Sequence, residues 1–273
     1  MLKPIRPKFT NPPLVERAIT VIFERIDLSL GDYGLFWSSI IEAFPRSEAV
    51  APLPSEIERY EGVRPAQQRF ELLDAATLPR GFFRNPEKGE LVQLQPDRFG
   101  FNWIKTGDDD CYPHSEAVLS KFYDLFQKFQ TFAAGRGLGP IKPVQCEITN
   151  VNLIPVADIG DNFADLRTIL KMADYAVPED FLKMESQILG AKHLMLDDDG
   201  AIIGRVHSLG QPSIRLETND LAYRLDVTAR GAPLGEGPQG IELFYEKAVS
   251  AVNAVFLASI TQSGRHFWGE IDG

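Results

Sequence analysis

Three arginines and one histidine in the second half of the chain have the residue types and spacing to bind an anion. Arg215 and Arg224 flank a predicted hairpin, and Arg205 and His207 lie on the strand before it. Guanidinium groups bind carboxylates and phosphates through paired, charge-assisted hydrogen bonds. The pattern therefore predicts either a groove for a small anionic ligand or a solvated sheet face whose arginines pair with nearby carboxylates.

Asparagines on predicted strands form a second group of candidates for ligand or partner binding. Asparagine is disfavoured in strands, so each such residue needs a specific partner. These residues are Asn102, Asn150 and Asn152, and Trp103 stands beside the first of them. Aromatic residues near the ends of elements, which are suitable anchors for a protein partner, are Trp37, Phe82, Phe83, Phe267 and Trp268.

Several common catalytic and metal-binding motifs are absent from the sequence. It contains no G-x-x-x-x-G-K-[ST], no H-E-x-x-H and no G-x-S-x-G. Cys111 and Cys146 lack ligand spacing, and the acidic run 197–199 followed by Gly200 fits a tight turn better than a calcium loop. The sequence therefore predicts no catalytic residue, no metal and no cofactor; it favours a non-enzymatic protein and leaves catalysis open.

Charge and hydropathy restrict the partners and the compartment. The formal net charge of −10 disfavours non-specific binding to nucleic acid. No apolar run follows the basic first eight residues, so a signal peptide is not expected there. The apolar stretch 248–260 is shorter than the roughly 20 residues that cross a bilayer. We therefore expect a cytoplasmic protein with no membrane partner, and the sequence leaves its oligomeric state undetermined.

The predicted elements that position these residues occur in the same order twice. In the first half they are a strand over 14–26, a short helix over 31–45, a surface loop over 46–65, strands over 67–73, 91–95 and 98–105, and a long helix from Ser115 to Gly135. In the second half they are a strand over 144–156, a short helix over 163–171, strands over 183–196, 201–209, 214–217 and 222–229, and a long helix over 241–261.

A single offset of 122 positions relates the two halves. It places Phe99 on Leu221 and Phe101 on Tyr223, and it places the segment 122–124 on 244–246 without a gap. We therefore expect an α+β fold of two related, pseudo-duplicated halves. Each half contains a strand, a short helix, antiparallel strands and a long helix packed on one sheet face. The predicted divisions are an extended lead-in over 1–13, a first half over 14–139 and a second half over 140–273.

Four segments resemble an uncharacterised, sporadically distributed bacterial protein family of about 250–270 residues. These are the opening NPPLVE at 11–16, the hairpin LVQLQPDRF at 91–99 with Asn102 and Trp103, the strand TNVN at 149–152, and FWG at 267–269. The family's Arg-Tyr before the mid-chain asparagine is replaced here by Ile148 and Thr149. The resemblance implies a bacterial cytosolic protein with a patchy distribution typical of defence or toxin–antitoxin genes, and it implies no activity.

These observations favour a non-enzymatic interaction protein, such as a subunit, sensor or immunity factor, whose sheet surface or inter-half groove binds a protein partner. The alternative is a binder or enzyme for a nucleotide or phosphorylated substrate, which would use the groove around the arginines and histidine named above.

Overall fold

The computed structural model describes residues 5–60, 78–107, 112–172, 181–182, 184–215 and 218–271. Its strands are β1 (Lys8–Phe9), β2 (Leu14–Phe23), β3 (Arg46–Val50), β4 (Arg80–Asn85), β5 (Glu90–Gln95), β6 (Arg98–Ile104), β7 (Pro143–Pro155), β8 (Leu189–Leu196), β9 (Ile202–Arg215), β10 (Asp220–Gly231) and β11 (Glu270–Ile271). Its helices are α1 (Leu30–Ile40), α2 (His114–Gly135), α3 (Gly237–Ser259) and α4 (Gln262–Phe267), with 3-10 turns at Val156–Asp158 and Phe163–Thr168.

A large sheet contains nine of the strands in the order β3-β4-β5-β6-β2-β7-β10-β9-β8. Consecutive strands pair antiparallel from β3 to β6, and β9 pairs antiparallel with both β8 and β10. β1 and β11 form a separate two-stranded sheet. The protein is therefore a mixed α+β structure built on a large antiparallel sheet with a few helices, which confirms the coarse fold class predicted from the sequence.

The chain separates into two compact units, each assembled from distant stretches. One contains residues 1–17, 148–230 and 242–273, and we call it the terminal unit; the other contains 18–147 and 231–241, and we call it the central unit. The predicted sequential division at residues 13 and 139 stays a prediction.

Phenylalanines hold the helices of the central unit against its strands. Phe36 on α1 contacts Phe83 on β4, Phe99 on β6 and Phe129 on α2, with ring centroids 5.4–6.2 Å apart. Phe99 stacks on Phe129 at 5.2 Å. All four rings are buried, so they form a continuous apolar core on one face of β4 and β6.

The core of the terminal unit depends on glycines that let large rings approach the sheet. A Cβ on Gly210 would lie 2.7 Å from the ring and from the hydroxyl of Tyr223, and one on Gly204 would lie 3.4 Å from the Phe244 ring. Tyr223 and Phe244 are fully buried. The absence of side chains at these two glycines of β9 therefore leaves the space that the two rings occupy.

Three predicted elements differ from the structure. The segment 46–65 was expected to be a loop, but Arg46–Val50 forms β3, because its pairing with β4 overrides a charged, solvent-facing composition. The predicted strands 201–209 and 214–217 are one strand, β9, since Pro212 opposite Tyr223 does not interrupt the ladder. The long helix was predicted to begin at Ser115, but α2 begins at His114, one residue earlier. The predicted strand 67–73 lies outside the described residues.

Candidate binding surfaces

The predicted anion-binding residues lie on the long hairpin of the terminal unit. Arg205 and His207 alternate along β9 with the buried residues Gly204 and Val206, so their side chains lie on the sheet face opposite the core. His207 pairs in register with Thr228 on β10, whose hydroxyl lies 2.8 Å from that of Thr149 on β7. The structure therefore brings Arg205 and His207 to one half-buried polar face.

The other two arginines have acidic neighbours on the same hairpin. The Nε of Arg224 donates to both carboxylate oxygens of Asp226, at 2.8 and 3.0 Å. The hydrogen bond to Asp226 raises the pKa of Arg224, outweighing the effect of burial. Arg215 pairs in register with Asp220 at the end of the hairpin. Charge on this part of the surface is thus partly neutralised within the hairpin.

The strand β8 forms one edge of the nine-stranded sheet, and most of its residues are exposed. Leu194 is 50% exposed and lies opposite Arg205, and Lys192 lies opposite His207. Leu209, on the same face of β9, is also exposed. Apolar and basic side chains therefore alternate across the β8–β9 surface, which we define as Lys192, Leu194, Arg205, His207 and Leu209.

The strand β3 at the other edge of the sheet has a different character. It has only five residues, and Arg84 of β4 donates to its Glu48 at 2.6 Å. Short, charged edge strands resist pairing with another chain, whereas long apolar ones favour it. Of the two edges, β8 is therefore the one suited to pairing with a further strand.

The predicted residues Asn150 and Asn152 have structural partners in the terminal unit. Asn150 Oδ1 accepts a 2.8 Å hydrogen bond from the Nε of Arg17, whose side chain is only 2% exposed. The Nδ2 of Asn152 donates to the backbone carbonyl of Leu225 at 3.0 Å. Both asparagines are buried, so they stabilise the fold and are not displayed to a partner.

Asn102 and Trp103 are adjacent in the sequence but lie on opposite faces of β6. Trp103 is buried and packs edge-to-face on Tyr112, with ring centroids 5.2 Å apart. Asn102 Oδ1 accepts a 2.7 Å hydrogen bond from Gln93 of β5, on the polar face. The structure does not bring these two residues into one site.

Most of the aromatic residues that were predicted to anchor a partner are instead buried or hydrogen-bonded within the protein. Phe82, Phe83 and Trp268 are buried, and the Nε1 of Trp37 donates to the carbonyl of Phe44 at 2.8 Å. Phe267 is substantially exposed.

The polar face of the central unit is crossed by residues 53–58, which we call the strap. The side-chain amide of Gln95 accepts from the nitrogen of Leu53 and donates to its carbonyl oxygen, both at 3.0 Å. Gln145 accepts from Glu58 N at 2.7 Å and donates to Glu56 O at 2.9 Å. Each glutamine thus mimics a backbone partner and holds the strap across the strands. Isolated glutamines carry no sequence signal for such a role.

Two arginines lie close together on this polar face. Arg98 is 8% exposed, and its Nη1 lies 3.8 Å from an oxygen of Glu147. Arg80 Nη1 donates to Gln93 at 3.0 Å. Burial lowers the pKa of Arg80, and the positive charge of Arg98 lowers it further. The Nε–H groups of both arginines are buried and have no hydrogen-bond partner among the described residues.

One glycine pattern, Gly235-x-Gly237-x-x-Gly240, is not among the motifs considered above. It follows β10 and begins α3, as the fingerprint of a dinucleotide-binding loop does. However, a Cβ on Gly240 would lie 2.2 Å from the carbonyl oxygen of Gly235, and Leu234 N donates to Gly240 O at 2.9 Å. The glycines therefore close a tight local turn. The preceding strand, β10, pairs antiparallel with β9, whereas a dinucleotide site is built on a parallel βαβ unit.

Among the residues that the structure describes, no three His, Cys, Asp or Glu side chains are grouped so that they could hold a metal ion. No helix in the described part of the chain is long and apolar enough to span a membrane. Comparison with known proteins gives no match to any protein-family model and no significant match to a curated protein.

Proposed function

We propose that the protein is a non-enzymatic interaction protein that binds an extended segment of a protein partner along the edge strand β8. The observation that carries this proposal is the contrast between the two edges of the sheet. β8 is eight residues long with exposed leucines, whereas β3 is five residues long and is charged and ion-paired.

Backbone geometry supports pairing with a strand. An edge strand presents a row of outward N–H and C=O groups, and an extended peptide can add to it as a further strand. Such pairing gives affinity through main-chain hydrogen bonds, while alternate side chains give specificity. Leu194 and Leu209 would supply apolar contacts on the face beside the added strand.

The side chains of the β8–β9 surface favour a particular chemistry in the partner. Lys192, Arg205 and His207 lie on this face although the whole chain has a net charge of −10. A segment that alternates acidic and apolar residues matches this arrangement, because opposite charges across neighbouring strands stabilise a sheet. The occupant that we propose is therefore an acidic and apolar strand of a different protein.

An internal duplication is part of the proposal, and three observations support it. β6 begins at Arg98 and β10 at Asp220, which are 122 positions apart; α2 and α3 begin 123 positions apart, at His114 and Gly237. The order of strands within the sheet is also the same in the two predicted halves. In the first half β2 is followed by β6, β5 and β4, and in the second half β7 is followed by β10, β9 and β8. The hairpins differ in their loops, since Gln95 pairs with Arg98 but Arg215 pairs with Asp220. If the halves are duplicated, β4 and β8 are equivalent strands. In the first half β3 pairs with β4, whereas in the second half β8 remains an edge strand.

The proposal retains a cytoplasmic location, membership of the uncharacterised bacterial family and a role in a defence or toxin–antitoxin-type system. The small-ligand alternative around Arg205, His207, Arg215 and Arg224 stays a prediction. The Arg224–Asp226 ion pair makes it the weaker of the two, since that guanidinium already has a carboxylate.

The test uses defined peptides and matched leucine variants. A fluorescent eight-residue peptide alternating Glu and Val should bind the full-length protein, and one alternating Lys and Val should not. Leu194→Glu should weaken binding of the first peptide, whereas Leu243→Glu, on α3 and equally exposed at 49%, should not. Equal binding of both peptides, or equal loss in both variants, would contradict docking at β8.

A further inference from the structure

Two guanidinium groups on the polar face of the central unit have few acidic partners among the described residues. Arg98 has one ion pair within the described part of the chain, with Glu147, at a long 3.8 Å. The other oxygen of Glu147 accepts from Gln145 at 2.8 Å. Arg80 bonds the neutral amide of Gln93. Of these two arginines, Arg98 is therefore the one with a carboxylate partner among the described residues, and that contact is long.

The backbone register explains why these arginines are neighbours. Arg98 pairs with Gln95 across β5 and β6, and Gly81, next to Arg80, pairs with Leu94 across β4 and β5. Arg80 and Arg98 thus flank Gln95 in one cross-strand row, and the strap residue Leu53 is bonded to that glutamine. The Nη2 of Arg98 also donates to Pro54 O, at 3.4 Å. The ends of both guanidiniums are held, so their Nε–H groups have fixed positions.

The Nε–H groups are the unexplained feature of this cluster. Leaving a charged donor buried without an acceptor is costly, so buried polar groups nearly always have a partner. Here two such donors occur together, on residues that each already donate one hydrogen bond through a terminal nitrogen. Arg84 provides an internal comparison, since it stacks on the ring of Phe82, as Arg80 does, but its Nε donates to Glu48.

We propose that the Nε–H groups of Arg80 and Arg98 bind a small oxyanion, either a carboxylate or a phosphate group, beside the strap of the central unit. Either anion accepts hydrogen bonds from guanidinium groups and supplies the missing negative charge. This site is separate from the proposed docking edge and does not depend on it.

The experiment is thermal unfolding of the full-length protein in phosphate, in acetate and in chloride at equal ionic strength, which removes general screening as a cause. Phosphate or acetate should raise the melting temperature in a saturable manner, and the more effective anion identifies the ligand chemistry. Arg98→Gln and Arg80→Gln should weaken the apparent affinity about tenfold or more, as expected for loss of a charged hydrogen bond. Arg84→Gln should retain the wild-type response.

Arg98→Gln removes a buried residue, so Arg80→Gln, at a half-buried position, keeps the test informative if the first variant does not fold. Wild-type protein that melts at the same temperature in all three anions would overturn the proposal. An anion response that survives in Arg80→Gln, or that Arg84→Gln abolishes equally, would overturn it too.

Discussion

Leu194 on β8 lies directly opposite Arg205 on β9, so an exposed apolar side chain and a guanidinium group are neighbours on one sheet face. The next pair on this face, Lys192 and His207, adds a second positively charged side chain, that of Lys192. An exposed edge strand with this composition is typical of a surface that receives another strand.

Charge substitutions on this surface are expected to affect binding and not folding. Leu194→Glu and Leu209→Glu replace exposed leucines, so the free energy of unfolding should change by less than about 0.5 kcal/mol. Binding of the alternating Glu-Val peptide should fall, because each change removes an apolar side chain from the β8–β9 surface and adds a negative charge that repels the glutamates of the peptide. Chemical denaturation and fluorescence anisotropy measure the two effects. A large loss of stability in either variant would mean that these leucines belong to the core.

The contact between Gly210 and Tyr223 predicts a position where even one methyl group is excluded. Gly210→Ala should destabilise the protein by about 1–3 kcal/mol, because the new Cβ would overpack the Tyr223 ring. Gly190→Ala is the matched control, since its Cβ would meet its nearest neighbour at 3.9 Å, an ordinary contact. Urea denaturation of both variants measures the difference. Equal stability would show that β9 and Tyr223 are not packed as described.

Asp32 links the start of α1 to the end of α2 and should make stability depend on pH. Hydrogen bonds from the side chain and backbone of Ser29 lower the pKa of Asp32, and Arg136, 2.9 Å away, lowers it further. A carboxyl group with a depressed folded-state pKa stabilises the protein above its unfolded pKa, and that contribution is lost as pH falls through the folded value.

Asp32→Asn should therefore be less stable than the wild type at pH 7, and the difference should shrink as pH falls below about 4. Denaturation at a series of pH values measures it. A difference that stayed constant from pH 7 to pH 3 would contradict the assigned ionisation of Asp32.

The strap should loosen when its glutamine contacts are removed. Gln145→Ala leaves the nitrogen of Glu58 and the carbonyl of Glu56 without their side-chain partner, at an expected cost of about 1–3 kcal/mol. The amide of Glu58 should then exchange faster with solvent, as hydrogen exchange would show. Gln127→Ala, at an exposed position on α2, is the control and should leave this amide unchanged.

The sequence predicted the strands and helices where periodicity was strong. Residues such as Phe122, Phe129 and Phe244 recur at helical spacing, and the structure places them in the core. Asn150 could be recognised as needing a partner, but its partner Arg17 is 133 positions away in the chain, a distance that local patterns do not encode. The open edge at β8 depends on the order of strands in the sheet, which is likewise a property of the whole fold.

The most direct test of docking at β8 is hydrogen exchange of the backbone amides in Leu189–Leu196, with and without the alternating Glu-Val peptide at saturating concentration. The proposal predicts slower exchange for amides of β8 when the peptide is bound, with no comparable change in β3 at the opposite edge. Peptide binding that leaves the exchange of β8 unchanged, or that protects β3 instead, would contradict the proposal.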